Sequence, residues 1–108
     1  MKKINIIKES KDFDNIFKLR KQISSKYAYL YIGKTNSKYY RFGICVSKKV
    51  GNAVIRNKVK RRVKDIIDKS GLHFSSKDYI IVVKKSAACA QYFELKEDLL
   101  KLLRNINE

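Results

Sequence analysis

The sequence predicts an α+β domain in which helices pack on a mixed β-sheet, and three features carry that prediction. Apolar residues fall at helical spacing in three separated segments. Two further segments alternate in the manner of half-exposed strands. A third strand candidate, Asp78 to Lys84, contains the unbroken run Tyr79-Ile80-Ile81-Val82-Val83, which suits a central strand buried on both faces. With 108 residues, no proline, no repeat and no low-complexity run, residues 1–108 read as one domain around one core.

The elements follow in order. Ser10 can cap a short helix running to about Lys21, with Phe13, Ile16, Phe17 and Leu19 on its apolar side. From Tyr27 to Ile32, Tyr27, Tyr29 and Tyr31 alternate with Ala28, Leu30 and Ile32, a strand pattern. Gly33 to Lys38 reads as the turn into a second strand, Tyr39 to Ser47, on which Phe42, Ile44 and Val46 share a face. Gly51 and Asn52 break that strand, and Asn52 is a suitable N-cap for a helix beginning at Ala53 and ended by Gly71. After the central strand, a helix from about Tyr92 presents Leu95, Leu99, Leu102, Leu103 and Ile106 as one stripe. The order is α-β-β-α-β-α, with room for one more short strand.

Charge is the unusual quantity. The chain has 26 Lys and Arg against 10 Asp and Glu, a net charge of +16, and a clustered positive surface gains affinity by displacing counterions from a phosphate backbone. Nucleic acid is therefore the expected partner. A membrane is not: no stretch approaches the roughly 18 apolar residues of a spanning helix, and the Ile-rich start is interrupted by Asn5, Lys8 and Glu9, unlike a secretory signal. A cytoplasmic protein is expected. Cys45 and Cys89 form no C-x-x-C pair and His73 is the only histidine, so soft metal ligands are too few for a zinc site.

Between Lys48 and Lys64 stand eight basic residues, Lys48, Lys49, Arg56, Lys58, Lys60, Arg61, Arg62 and Lys64, and no acidic one. Arg56, Lys60 and Lys64 recur at i,i+4, where like charges repel by a few tenths of a kcal/mol per pair. At 100° per residue, Ile55 to Ile67 cover an arc of about 120°, with Asn57, Arg61 and Lys64 on the far side. Arg56 falls inside the apolar arc, and its place in the first turn should carry it past the sheet edge. The free N–H groups and positive dipole end of the helix make Lys48, Lys49, Asn52 and Arg56 a natural phosphate seat. Seven Tyr and five Phe accompany the charge. For Phe13, Phe17 and the strand face carrying Phe42, the pattern suits stacking on unpaired bases and core packing alike.

The segment Ser47-Lys48-Lys49-Val50-Gly51-Asn52-Ala53-Val54-Ile55-Arg56-Asn57-Lys58-Val59-Lys60-Arg61-Arg62 resembles the signature of the bacterial ribonuclease P protein family. The family's Arg-Asn-Arg core reads Arg56-Asn57-Lys58 here, keeping the charge at the third position without the planar, bidentate guanidinium. Asp12, Phe13 and Phe17 in an early helix and Asp78-Tyr79-Ile80 before the last helix agree in order, so the resemblance spans nearly the whole chain. It implies an α-β-β-β-α-β-α fold of the ribosomal protein S5 domain 2-like kind, with a left-handed β-α-β crossover through the basic helix. It also implies an accessory subunit of a tRNA 5′-maturation endoribonuclease whose RNA subunit performs the hydrolysis with bound magnesium. Ribonuclease P RNA and precursor tRNA are then the partners, with no obligate protein partner and no cofactor bound by the protein alone. Lys48, Lys49, Asn52, Arg56, Asn57, Lys58, Lys60, Arg61, Arg62 and Lys64 are the expected RNA contacts. Phe13, Phe17 and Phe42 are the expected contacts to the single-stranded 5′ leader, and no side chain is expected to be catalytic. Asp65 and Asp68 lie on the basic helix without a histidine or a matched acid beside them.

Overall fold

The computed structural model describes residues 2, 5–7, 14, 16–18, 22–34 and 37–106. Helix α1 is seen at Asp14 and residues 16–18. Strands β1 (Gln22–Ser24), β2 (Ala28–Lys34) and β3 (Arg41–Val46) lead into α2 (Ala53–Lys69), followed by β4 (Lys77–Val83), a 3₁₀ turn (Lys85–Cys89) and α3 (Tyr92–Asn105). The short additional strand is β1, so the order is α-β-β-β-α-β-α. Ser10, Asp12 and Phe13 lie outside the described residues.

The four strands are arranged β1-β2-β4-β3. β2 is antiparallel to both β1 and β4, while β3 and β4 are parallel. A parallel pair needs a crossover rather than a hairpin, and α2 supplies it. The segment after Gly33 consequently does not turn β2 back into a neighbouring strand: β4 separates β2 from β3. Strand β3 is also shorter than the expected Tyr39 to Ser47.

Cross-strand register sorts the side chains. Leu30 and Ile44 both sit opposite Ile81, and Phe42 opposite Tyr79. With Ala28 and Val83 they form the face buried under α2 and α3, which contribute Val59, Val63, Ile66, Ile67, Leu95, Leu99, Leu102 and Leu103. Alternate residues serve the other face, where Ile80 packs with Ile7 and Ile16 and is bordered by Phe17, Tyr31, Cys45 and Val82. Because β4 feeds both layers, its apolar run shows no alternation. On the second face Arg41 grips Asp78 through two bonds, Nε to Oδ1 at 2.8 Å and Nη2 to Oδ2 at 2.6 Å. Asp78 is only 2% exposed.

Tyr27 departs from the alternation of Tyr29 and Tyr31. It precedes β2, is buried in the helix-covered core, and its hydroxyl donates to Glu94 Oε2 at 3.3 Å. Asp98 of α3 holds this corner, accepting from Ser25 Oγ at 2.7 Å, Tyr27 N–H at 2.9 Å and Lys26 N–H at 3.2 Å. Asp98→Ala leaves the Tyr27 N–H without its acceptor and should cost about 1–3 kcal/mol. Urea unfolding measures the loss, and an unchanged midpoint would show the corner to be held by packing alone.

Candidate nucleic-acid interface

The start of α2 is shaped by four residues. Val50 is buried and its N–H bonds to Ser47 O at 3.1 Å, a turn that leaves Lys48 and Lys49 exposed. At Gly51 any Cβ would lie 2.9 Å from Ile55 Cγ2, so the chain enters the helix this closely only without a side chain. Asn52 caps it: its side-chain oxygen accepts from Ile55 N–H at 3.0 Å, and its carbonyl takes the Arg56 N–H at 2.9 Å. The first turn contains no acidic residue, so the helix places no carboxylate of its own against its positive dipole end.

Burial of Val59, Val63, Ile66 and Ile67 sets the rotation of α2 and divides its polar side into three edges. Lys60 and Lys64 border a concavity whose far wall is Gly43 and Ile44 of β3 with Ile6 and Ile7, and Arg56 continues that edge upward. Asn57 and Arg61 point outward and are exposed, as is Lys58. Arg62 turns toward the segment that leads into α3, where its Nη1 donates to Ala90 O, just after the 3₁₀ turn, at 3.4 Å. It is half-buried and ties α2 to that connection, so it does not share the outward exposure of Arg61.

Ile55, Arg56 and Lys64 differ from expectation: Lys64, expected on the far side with Asn57 and Arg61, is half-buried beside Lys60 on the β3-facing edge. Ile55 is 37% exposed, because the first turn of α2 overhangs the sheet and the buried arc begins only at Val59. Arg56 does not escape the interior completely: it is half-buried, and its Nε is enclosed without an acceptor among the described residues, an arrangement that costs free energy until an acceptor arrives.

The aromatics separate cleanly. Phe42 is corrected from leader contact to core: it is 1% exposed, on the face beneath the helices, stacked on Tyr79 at 5.0 Å and edge-on to Phe74 at 4.9 Å. No ring face is left for a base. Phe17 occupies the opposite face, half-exposed and edge-on to Tyr31 at 4.9 Å. Tyr29, Tyr31, Cys45 and Val82 are half-exposed on this same face. The alternation of Tyr29 and Tyr31 was legible, but which face stayed open depends on where α1 packs. Lys84 closes one end, its Nζ 4.4 Å from the centre of the Tyr29 ring and bonded to Ser24 Oγ at 2.9 Å and Ser25 O at 2.6 Å. Burial pushes the Cys45 thiol up from its ordinary pKa, and Lys60 partly opposes the shift.

The carboxylates of α2 are engaged elsewhere. Asp65 Oδ2 accepts from the Tyr92 hydroxyl at 2.6 Å and its Oδ1 lies 3.1 Å from Lys69 Nζ. The Tyr92 bond, then Lys69, holds the Asp65 carboxyl below its ordinary range, and the same bond raises the Tyr92 hydroxyl. Among the described residues no group of three or more His, Cys, Asp or Glu is gathered as metal ligands, and no helix is long and apolar enough to cross a membrane. Cys45 and Cys89 are free thiols, and His73 is exposed.

Comparison with known proteins agrees with the fold. The family model described as Ribonuclease P matches residues 1–107. The ribonuclease P protein component of Streptococcus equi subsp. equi is 37% identical over an alignment spanning 100% of this chain and 93% of the relative. That of Streptococcus pyogenes serotype M5 is 36% identical, covering 96% and 87%. Among solved structures, the RNase P protein of Staphylococcus aureus superposes with a TM-score of 0.87 at 29% identity, covering 94% of both chains. The RNase P protein of Thermotoga maritima gives 0.81 at 30%, covering 92% of this chain and 94% of that one.

Phe42→Ala empties a closed aromatic cluster and should destabilise the fold by about 3–5 kcal/mol, whereas Phe17→Ala, at a half-exposed position, costs clearly less. Equilibrium denaturation of both variants checks the order, and equal losses would return Phe17 to the core.

Proposed function

The chain belongs to the ribonuclease P protein family, and from that premise we propose that it binds the catalytic RNA and the 5′ leader of precursor tRNA, promoting endonucleolytic release of the leader and formation of the mature tRNA 5′ end. The observation that carries this reading is the run of cations from Lys48 to Lys64, held on a capped helix start with no acidic residue in its first turn. A surface so arranged gains binding free energy from phosphate by counterion release. Arg56, Lys60 and Lys64 on one edge, and Asn57, Lys58 and Arg61 beside them, are the RNA contacts. Lys48 and Lys49 add charge at the helix start, and Asn52 keeps its N–H groups aligned.

The leader lies along the open sheet face, where Phe17 and Tyr31 offer ring surfaces to unpaired bases. In this reading the RNA subunit performs the hydrolysis and holds the magnesium ions that it needs. The protein supplies screening charge, positions the leader and works in the cytoplasm. A self-sufficient protein nuclease is the contrasting reading, and the engagement of Asp65 by Tyr92 and Lys69 argues against it, because a general base needs a free, matched partner.

Reconstitution tests the proposal: the chain added to a bacterial ribonuclease P RNA should restore cleavage of precursor tRNA at physiological salt, and indifference of that RNA to the protein would refute it. Arg61→Ala should weaken RNA association and flatten the plot of log affinity against log salt by about one unit if one phosphate contact is lost. An unaltered slope removes Arg61 from the contacts. Phe17→Ala should weaken binding of leader-bearing tRNA more than of mature tRNA in the reconstituted complex, and equal losses would take Phe17 off the leader path.

A further inference from the structure

Of the two acidic side chains on α2, Asp65 stands where it could undo the function of its neighbours. It follows Arg61 by four residues and Arg62 by three, the separations at which helix side chains meet and oppositely charged pairs form. A carboxylate paired with Arg61 would occupy the guanidinium that a phosphate requires, and RNA binding would first have to break that pair. In the structure the pair is absent. Asp65 Oδ2 accepts from the Tyr92 hydroxyl at 2.6 Å and Oδ1 faces Lys69 at 3.1 Å, while Arg61 is exposed and forms no ion pair among the described residues.

We propose that Tyr92 is a positioning residue for RNA binding: its hydroxyl draws the Asp65 carboxylate toward α3 and thereby leaves Arg61 free for phosphate. The inference rests on the RNA-binding role assigned to α2. Its strength lies in the origin of the bond. Lys69 belongs to α2 itself, at the i,i+4 spacing in which the acid precedes the base, the better orientation on a helix, but an exposed pair of that kind is weak. Tyr92 comes from the first turn of α3, so its bond couples the direction of the carboxylate to the packing of the two helices. Arg62 is turned the same way by Ala90 O. On the α3-facing edge of α2 the Asp65 carboxylate is thus held by Tyr92 and Lys69, and Arg61 on the outward edge is left without it.

A double-mutant cycle tests this with the full chain and ribonuclease P RNA, titrated at several salt concentrations. Tyr92→Phe keeps the ring and removes only the hydroxyl. It should lower affinity about two- to fivefold, the range of one exposed ion pair, and flatten the salt slope. Asp65→Asn alone should bind at least as tightly as the parent. In the Asp65→Asn background, and equally in the Arg61→Ala background, Tyr92→Phe should have no effect, because either the competing acid or its target is gone. Loss of the same size in all three backgrounds would make Tyr92 a packing residue only and overturn the proposal, as would no loss in the parent. Thermal unfolding of each variant separates a folding defect from a binding one. If the unsubstituted chain fails to bind the RNA, the functional reading falls and this inference with it. Binding without coupling removes only the role of Tyr92.

Discussion

The seating of α2 on the sheet determines the direction in which every cation of that helix points. Val59, Val63, Ile66 and Ile67 must be covered, and their burial stabilises the fold by about 1.5–3 kcal/mol for each fully enclosed side chain. No surface interaction of the helix is large enough to rotate it against that. Rotation being settled, Arg56, Lys60 and Lys64 fall toward β3, Asn57 and Arg61 toward solvent, and Arg62 and Asp65 toward α3. Gly51 and Asn52 then settle where the helix begins, one by allowing the close approach to Ile55 and the other by capping it.

The same constraint gives the sheet two unequal faces. One is roofed by α2 and α3 and takes Phe42 and Tyr79 into an aromatic cluster. The other is roofed only in part, with Ile7 and Ile16 over Ile80, so Phe17, Tyr31 and Cys45 remain half-exposed. Register keeps the faces distinct. Arg41 and Asp78 are direct partners across β3 and β4, and sliding β3 by one residue would put the guanidinium under the helices and Phe42 on the open side. A buried ion pair contributes little net stability over an apolar pair, yet separating its members is costly. It therefore acts chiefly against that wrong alignment.

Much of this was legible in the residues themselves. Helical spacing located α2 and α3, Asn52 and Gly71 marked the limits of α2, and the unalternating run from Tyr79 to Val83 identified an interior strand. Strand order was not legible, because alternation says which residues share a face and nothing about which strand lies beside which. Gly33 to Lys38 therefore read as an ordinary turn although β4 lies between the strands it joins. Phe42 and Phe17 looked alike for a related reason: each is an aromatic within an apolar pattern, and only the placement of α1, α2 and α3 decides that one is enclosed and the other open. Arg62 was indistinguishable from Arg61 in the basic run, since its partner is a backbone carbonyl 28 positions away.

Concentrating cations on one helix has a consequence for folding as well as for binding. Arg56, Lys60 and Lys64 repel one another at i,i+4 by a few tenths of a kcal/mol per pair, and the enclosed Arg56 Nε adds the cost of a donor without an acceptor among the described residues. These penalties are carried by the free protein and are removed by whatever anion seats itself on that edge. A partner that binds only the folded chain stabilises it in proportion to the logarithm of its concentration over Kd. For a polyanion, the interactions that the free fold leaves unsatisfied are therefore the ones that tie folding to binding. Salt acts on both sides of that balance: it screens the repulsion within α2 and reduces the gain from counterion release. With a helix edge so poorly compensated alone, the phosphate contacts proposed for it would make the complex, rather than the isolated chain, the electrostatically satisfied state.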